Sequence, residues 1–356
     1  MNLQERKKEI KSTGYEVYCK ISSRKIAILF GFIIFCCFTL VIDTMTGSAM
    51  LPAKEVFSCI FSPENASETT HVIVWSMRIP IAIMALTIGT ALGTSGAVMQ
   101  TILHNPLASP YTLGVGAGSA FGASLAIVMG WGEIGVSLSA FVFSFLICLL
   151  TYGMGKSRGM STNSMVLAGI ALLFLFQALQ ALIQYGASET ENQSIVFWTF
   201  GSLQKSTWGK LSITVLITAV CIPFIMKDSW KYTALLMGDE KADSLGIRVN
   251  YIKLKAFFII SLLAAVAVCF TGTIGFVGLA GPHIARMLVG EDQRFYIPVS
   301  AVCGAAVLSA ASIISKIIVP GTIFPIGIIT SIIGVPFFFV LVIRSRGAIC
   351  SGYKCK

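Results

Sequence analysis

The stretch IPIAIMALTIGTALGTSGAVMQTILHNPLASPYTLGVGAGSAFGASLAIVMGWG, residues 79–132, contains no Asp, Glu, Lys or Arg. A helix needs about 20 apolar residues to cross the hydrocarbon core of a bilayer, so this stretch is long enough for two crossings. It divides at residues 104–110 (HNPLASP), because two prolines and several polar side chains interrupt a helix there. The stretch therefore predicts two consecutive membrane-spanning helices joined by a short turn.

The composition of the whole chain extends this interpretation. Of its 356 residues, 55% are hydrophobic and only 12% are charged, whereas a soluble domain carries about 25% charged residues. This excludes an ordinary soluble enzyme, and it also excludes disorder, which requires low hydrophobicity and high charge. The net charge of +10 follows the loops of a membrane topology, so we predict a lipid membrane and no nucleic acid as a partner.

Further apolar runs lie near residues 24–42, 134–155, 163–186, 211–226, 251–271, 297–315 and 326–343, and the Gly-rich region 272–290 is either a short span or an extension of the preceding one. With ten spans, 21 of the 26 basic residues lie on the side of both termini. Such asymmetry is typical of cytoplasmic loops. We therefore predict an all-α, polytopic membrane protein with about ten transmembrane helices and both termini in the cytoplasm. The five basic residues on the other side are Lys54, Arg78, Lys205, Lys210 and Lys316.

The expected organisation is one membrane domain over residues 26–343, between a cytoplasmic N-terminal segment 1–25 and a cytoplasmic tail 344–356. No small-residue cleavage site follows the first apolar run, so we expect a retained span. The ten cysteines show no C-x-x-C spacing, and the three histidines are scattered over different loops. We therefore predict no metal site, no cofactor and no catalytic residues.

Three amides lie on one face of the span at 163–186. At 100° per residue, Gln177, Gln180 and Gln184 fall within about 60° of arc. Amides in hydrocarbon require partners or water, so these residues either form interhelical hydrogen bonds or line a translocation path. The spans contain no buried acid, with Asp43 and Glu133 expected at span ends, which disfavours coupling to protons or sodium.

The longest cytoplasmic loop, residues 227–255, contains the sequence GDEKADSLG at 238–246. Acidic residues in its first turn and a glycine at its end predict a short helix. Ala242 and Leu245 are three residues apart and are expected to form a small apolar face. A solvated loop and a docking helix for a cytoplasmic partner both fit these residues.

An ordered set of motifs between about residues 78 and 338 resembles the FecCD-type permeases of ABC importers for iron–siderophore complexes, haem and vitamin B12. The motifs are RIP at 78–80, GAVMQ at 96–100, NPLA at 105–108, GFVGL at 275–279, GPHIAR at 281–286, PIG at 325–327 and GVPFF at 334–338.

The resemblance implies one half of a dimeric channel, formed with a second copy or a paralogue and seated on a separate cytoplasmic ABC ATPase. The resemblance also implies that an extracytoplasmic binding protein delivers the substrate. Arg78 and Lys316 match basic positions that dock this protein, whereas Ile81 replaces a second arginine common in the family and Ser312 stands where an aspartate is frequent. The ATPase-coupling element matches Gly238, Asp239, Glu240, Ala242, Leu245, Gly246 and Ile247.

From these features we expect the permease subunit of an ATP-driven, binding-protein-dependent importer in the cell membrane of a prokaryote. The chain itself is not expected to be an enzyme. The expected cargo is an iron chelate such as an iron–siderophore, with haem, vitamin B12 or an oxyanion as alternatives within the family. A different class, an ion-coupled secondary transporter or a channel, is disfavoured by the missing buried acid and by the docking loop.

Overall fold

A computed structural model describes residues 3–47, 51–61, 67–157, 162–318, 321–336 and 339, and in these ranges the only regular secondary structure is helical. The predicted all-α fold is confirmed. A π-helical turn, Val72–Arg78, leads directly into α4. The α-helices are α1 Leu3–Met45, α2 Ala53–Phe61, α3 Glu68–His71, α4 Ile79–Ile102, α5 Val115–Val128, α6 Gly132–Ser157, α7 Thr162–Gly186, α8 Glu189–Thr199, α9 Trp208–Lys227, α10 Ser229–Leu235, α11 Asp239–Ser244, α12 Val249–Thr271, α13 Val277–Val289, α14 Gln293–Ile317 and α15 Ile326–Pro336.

Several of these helices have the length and composition of membrane spans. The shorter apolar helices α5, α13 and α15 lie where the other three of the ten predicted spans were expected. They are shorter than a full crossing, so the count of ten spans stays a prediction. The ambiguous region 272–290 holds a separate short helix, α13, because the backbone leaves helical geometry at Gly272 (φ 73°). The predicted tail 344–356 lies outside the described residues. Within the described residues, seven stretches are long and apolar enough to span a bilayer: Glu16–Met45, Glu68–Ile102, Gly132–Lys156, Ser164–Gly186, Trp208–Lys227, Val249–Thr271 and Gln293–Ile317.

The bundle has two chemically different ends. The end that carries α10, α11 and the first turns of α12 and α14 is called the basic end, and it matches the predicted cytoplasmic side. The C-terminal end of α4 also lies there, because His104 Nε2 is 2.7 Å from the carbonyl oxygen of Leu235. At the opposite end, the last turns of α1 and α14 meet through Asp43 and Lys316.

Helix α4 forms the centre of the bundle and packs most closely against α14. A Cβ atom added to Gly89 would lie 2.4 Å from the carbonyl oxygen of Gly304, and one added to Gly93 would lie 2.3 Å from that of Ser300. Small residues allow such backbone approach where lipid provides no hydrophobic drive for association. Gly89 and Gly93 thus allow α4 and α14 to pack in direct backbone contact.

Candidate coupling and translocation sites

Residues 228–248 at the basic end, called the coupling segment after the role predicted for them, contain the short helix predicted from the sequence. Gly238 and Gly246, with φ values of 104° and 80°, flank α11 on both sides. Such positive φ values are accessible to glycine at little cost, which explains where the helix begins and ends. Asp239 and Glu240 occupy its first turn, where the helix dipole favours negative charge.

The predicted apolar face of α11 is wrong in one respect. Ala242 is fully buried against the bundle, whereas Leu245 is 63% exposed. The helical spacing that would align them does not apply, because α11 ends at Ser244 and Leu245 is the residue that caps it. The exposed apolar side chains that flank α11 are Met237 before it and Leu245 at its end.

Ion pairs and hydrogen bonds attach this segment to the transmembrane helices. Asp239 Oδ2 lies 2.5 Å from Lys253 Nζ. Asp228 pairs with Lys255 at 2.5 Å and with Lys231 at 2.7 Å. Burial raises the pKa of Asp228, but the hydrogen bonds and charges of these two lysines outweigh that effect and hold its pKa below the ordinary value. The segment is thus fastened to α12 at two points.

Motif residues that the sequence leaves scattered meet near the basic end. Tyr296 donates its hydroxyl hydrogen to Gln100 Oε1 at 2.9 Å, and Arg286 Nη2 lies 3.4 Å from both the same amide oxygen and the tyrosine oxygen. Arg286 also lies 3.6 Å from Glu291. This network links α4, α13 and α14, and it brings Gln100 of the GAVMQ motif into contact with Arg286 of the GPHIAR motif.

The three amides of α7 have different surroundings. Gln177 is exposed, whereas Gln180 Nε2 donates to Thr199 Oγ1 at 3.4 Å. Gln184 lies near α8, since its backbone carbonyl accepts a hydrogen bond of 2.8 Å from Asn192. The three amides therefore do not behave alike. Gln180 makes an interhelical hydrogen bond, as the packing interpretation predicts, whereas Gln177 lies on an open face, as the translocation-path interpretation predicts.

Three segments, residues 199–203, 271–276 and 322–327, meet toward the opposite end and are called the junction. Residues 200–203, 272–276 and 322–325 within them are not helical. The Ser202 N–H donates to the Thr271 carbonyl at 2.7 Å, and the Gly327 N–H donates to the Phe200 carbonyl at 3.1 Å. Irregular backbone is tolerated at membrane depth only where its polar groups find such partners. A Cβ atom on Gly272 would lie 2.2 Å from the Trp198 carbonyl, so this contact requires glycine. The junction was not predicted from the sequence, although its glycines were an available signal.

The two predicted docking residues are both buried in this structure. Arg78 is 4% exposed and donates to the carbonyl oxygens of Thr44 and Met45 at 3.3 and 2.9 Å. Lys316 is 8% exposed and lies 2.9 Å from the carboxylate of Asp43. Both cations lie at the C-terminal end of α1, where the helix dipole favours positive charge. Their predicted contact with a binding protein stays a prediction.

Asp43 lies at the end of α1, as predicted, but the expectation that the spans contain no buried acid is wrong. Its side chain is fully buried, and the Ser312 hydroxyl lies 3.0 Å from both carboxylate oxygens. The bundle therefore contains a buried acid, but this acid is held by a lysine and a serine. The acid that the family resemblance places at position 312 is supplied here from α1, with Ser312 as its hydrogen-bond donor.

A central helix pair, a coupling segment at the basic end and a helix with an open amide-bearing face define a multi-pass membrane permease. The model of the FecCD transport family matches residues 32–344 of this chain. The chain therefore belongs to the FecCD transport family.

Similar proteins agree with this assignment. An ABC transporter permease protein of Methanocaldococcus jannaschii, MJ0087, is 34% identical, with 93% of this chain and 97% of that protein covered. The molybdate import system permease MolB of Haemophilus influenzae is 33% identical, with 90% and 96% covered. A solved structure described as an inward-facing conformation of a metal-chelate type ABC transporter superposes with a TM-score of 0.79 at 33% identity, covering 89% of this chain and 99% of that chain.

Other relatives are named for other cargoes, namely iron(3+)-hydroxamate in Bacillus subtilis, cobalamin in Halobacterium salinarum and hemin in Yersinia pestis, at 31–35% identity. The chain is thus a permease subunit of an ABC importer and a multi-pass protein of the prokaryotic cell membrane. Members of the family work with a separate ATPase chain and a substrate-binding protein. The predicted class is confirmed, whereas the cargo differs among relatives.

Proposed function

We propose that this chain forms one half of a dimeric permease that imports an iron chelate delivered by an extracytoplasmic binding protein. Two relatives support an iron chelate as the cargo. One is the solved transporter of the metal-chelate type, almost the whole length of which aligns with this chain. The other is the permease named for iron(3+)-hydroxamate. Molybdate is the second candidate, because the MolB permease aligns over 90% of the chain.

The open face of α7 supports a second permease subunit as partner. Phe174, Leu182 and Tyr185 are exposed along this helix, and Gln177 lies exposed among them. An amide facing lipid is costly, whereas an amide facing a protein interface or a water-filled path finds partners. We therefore place the translocation path beside Gln177, Gln180 and Gln184, between two permease subunits.

The basic end supports the ATPase as partner. Leu245 and Met237 are exposed apolar residues on a segment otherwise rich in charge. Apolar side chains at the centre of a contact contribute most when a partner removes them from water. We propose that a cytoplasmic ATPase covers these residues and that α11 enters its surface.

The opposite end is the proposed landing surface for the binding protein. Arg78 and Lys316 would contact that protein directly only after exchanging their present bonds to the end of α1. Lys205 lies exposed at the same end and is available to a partner without such an exchange. We therefore propose that an acidic residue of the binding protein contacts this end. Its first contact does not have to be with Arg78.

The cargo is tested with the assembled complex of permease, ATPase and binding protein in proteoliposomes. We expect ATP-dependent uptake of a ferric hydroxamate chelate, with hemin, cobalamin and molybdate taken up at no more than a tenth of that rate. Uptake of molybdate in place of the chelate would favour the second candidate and overturn the first.

A further inference from the structure

We infer that α12 transmits movement of the coupling segment to the junction. In this inference, Lys253 and Lys255 are the positioning residues that attach α12 to the coupling segment. This inference rests on the proposed function. It assigns a transmission role within the permease to two buried or half-buried lysines and to one helix.

The attachment at the basic end is made by two ion pairs on one helical turn. Lys253 is almost completely buried and pairs with Asp239 at the start of α11. Lys255 pairs with Asp228, whose carboxylate is also buried and which precedes α10. Positions two residues apart on a helix point about 200° apart, so the two lysines hold α12 from different sides. A displacement of α10 and α11 must therefore displace the first turns of α12.

The body of α12 is suited to transmit such a displacement. It runs without interruption from Val249 to Thr271, which corresponds to about 34 Å at 1.5 Å per residue. It contains no proline, whereas α9, α13 and α14 contain Pro223, Pro282 and Pro298. Proline removes a helical hydrogen bond and permits bending, and α12 lacks that freedom. Two thirds of the residues in its most apolar 18-residue stretch are buried, so neighbouring helices pack against α12 along most of its length.

The C-terminal end of α12 is hydrogen-bonded directly to the junction. The Thr271 carbonyl accepts the Ser202 N–H at 2.7 Å, and the next residue, Gly272, lies against the Trp198 carbonyl. Residues 200 and 201 in turn accept hydrogen bonds from the N–H groups of Gly327 and Ile326, at the start of α15. A shift of Thr271 therefore moves all three segments of the junction.

Helix α14 is a weaker candidate for the same role. Its links to α10 are a hydrogen bond of 3.3 Å from the Gln293 N–H to Thr233 and a cation–π contact of Arg294 with the Trp230 ring at 4.2 Å, and neither is an ion pair. Its body is locked to α4 by the glycine contacts and to α1 by the Asp43–Lys316 pair. Helix α14 is thus held by α4 and α1, whereas α12 is the helix that ion pairs attach to the coupling segment.

The test uses the permease–ATPase complex in nanodiscs, with an environment-sensitive fluorophore on Gln204→Cys. Gln204 is exposed and adjoins the junction, and the accessible native cysteines are first replaced. Addition of ATP and vanadate is expected to change the fluorescence of the unsubstituted complex. Lys253→Met and Asp239→Asn are each expected to reduce this change by about fivefold or more, within the usual range of coupling effects, while the ATPase still copurifies.

The variants are chosen so that misfolding and coupling separate. Asp239→Asn changes a half-exposed carboxylate and serves if Lys253→Met does not insert. The reversed pair Asp239→Lys with Lys253→Asp is expected to restore at least half of the response. Lys156→Met is the matched control, because Lys156 is exposed at the end of α6, lies outside α10–α12 and makes no ion pair within the described part of the chain. A normal response in Lys253→Met and Asp239→Asn would overturn the inference. Failure of the ATPase to copurify with the unsubstituted permease would instead overturn the proposed function.

Discussion

The ammonium group of Lys316 lies 2.9 Å from the carboxylate of Asp43, and 273 residues separate the two in the chain. The pair joins the last turn of the peripheral helix α1 to the last turn of the central helix α14. Both side chains are removed from solvent, and Ser312 adds a hydroxyl to the same carboxylate. The contact therefore anchors α1, whose span is otherwise mostly exposed to the surroundings of the single chain.

Removing one partner of this pair is expected to destabilise the protein. Lys316→Met leaves the Asp43 carboxylate buried without its cation, and breaking a buried pair in this way costs about 3–5 kcal/mol. The measurement is thermal unfolding in detergent. Lys205→Met, which removes an exposed lysine at the same end, is the control and is expected to unfold like the unsubstituted protein.

Replacing both partners distinguishes an ion pair from simple packing. The double variant Asp43→Leu with Lys316→Met buries no charge, and such replacements are often neutral or stabilising. We expect it to recover most of the stability that Lys316→Met loses. A double variant less stable than either single variant would contradict the pairing.

A charge on the exposed apolar surface of the coupling segment is expected to separate the permease from its ATPase. Leu245→Asp places a carboxylate where we propose that the ATPase covers an apolar side chain, and an unpaired desolvated charge costs several kcal/mol. Copurification and uptake should both fall at least tenfold, while the permease still inserts. Gln204→Asp adds the same charge at the opposite end and should leave copurification unchanged. Normal copurification of Leu245→Asp would mean that this residue is not at the ATPase contact.

The amide face of α7 is expected to be accessible to water in the assembled transporter. Cysteines at positions 177, 180 and 184 should react with small charged thiol reagents, because a thiol reacts as the thiolate, which forms in water and not in hydrocarbon. Leu175→Cys and Ala178→Cys lie elsewhere on the helix and should be protected. Equal protection at all five positions would leave only interhelical packing for the amides, as already seen for Gln180 and Thr199.

The Asp228 carboxylate predicts a pH dependence at the basic end. Because its pKa is lowered in the folded state by Lys231 and Lys255, its contribution is complete above the unfolded value of about 3.9. The contribution is lost as the pH falls through the folded value. The unfolding temperature of the unsubstituted protein should therefore exceed that of Asp228→Asn above about pH 5, and the difference should shrink below about pH 4. A difference that grows as the pH falls would contradict the sign of the shift.

Much of the fold could be predicted because hydrophobicity and charge act locally along a membrane chain. Residues 79–132 fix two spans by their lack of charge, and the glycines flanking α11 fix a short helix. The partners of Asp43 and Lys316 could not be predicted, since neither position carries a local pattern and the pair forms only when α1 meets α14. The exposure of Leu245 was predicted, but the burial of Ala242 was not, because it depends on where α11 stops relative to the bundle. The junction was missed for the same reason: its hydrogen bonds join three distant segments.

The most direct test of the account is uptake by proteoliposomes that contain the permease, its ATPase and, outside, the loaded binding protein. With a ferric hydroxamate chelate, hemin, cobalamin and molybdate offered in turn, we expect uptake of one of them to require enclosed ATP. That uptake should persist when ionophores collapse the proton and sodium gradients. Uptake that proceeds without ATP and stops when an ion gradient is collapsed would contradict the account.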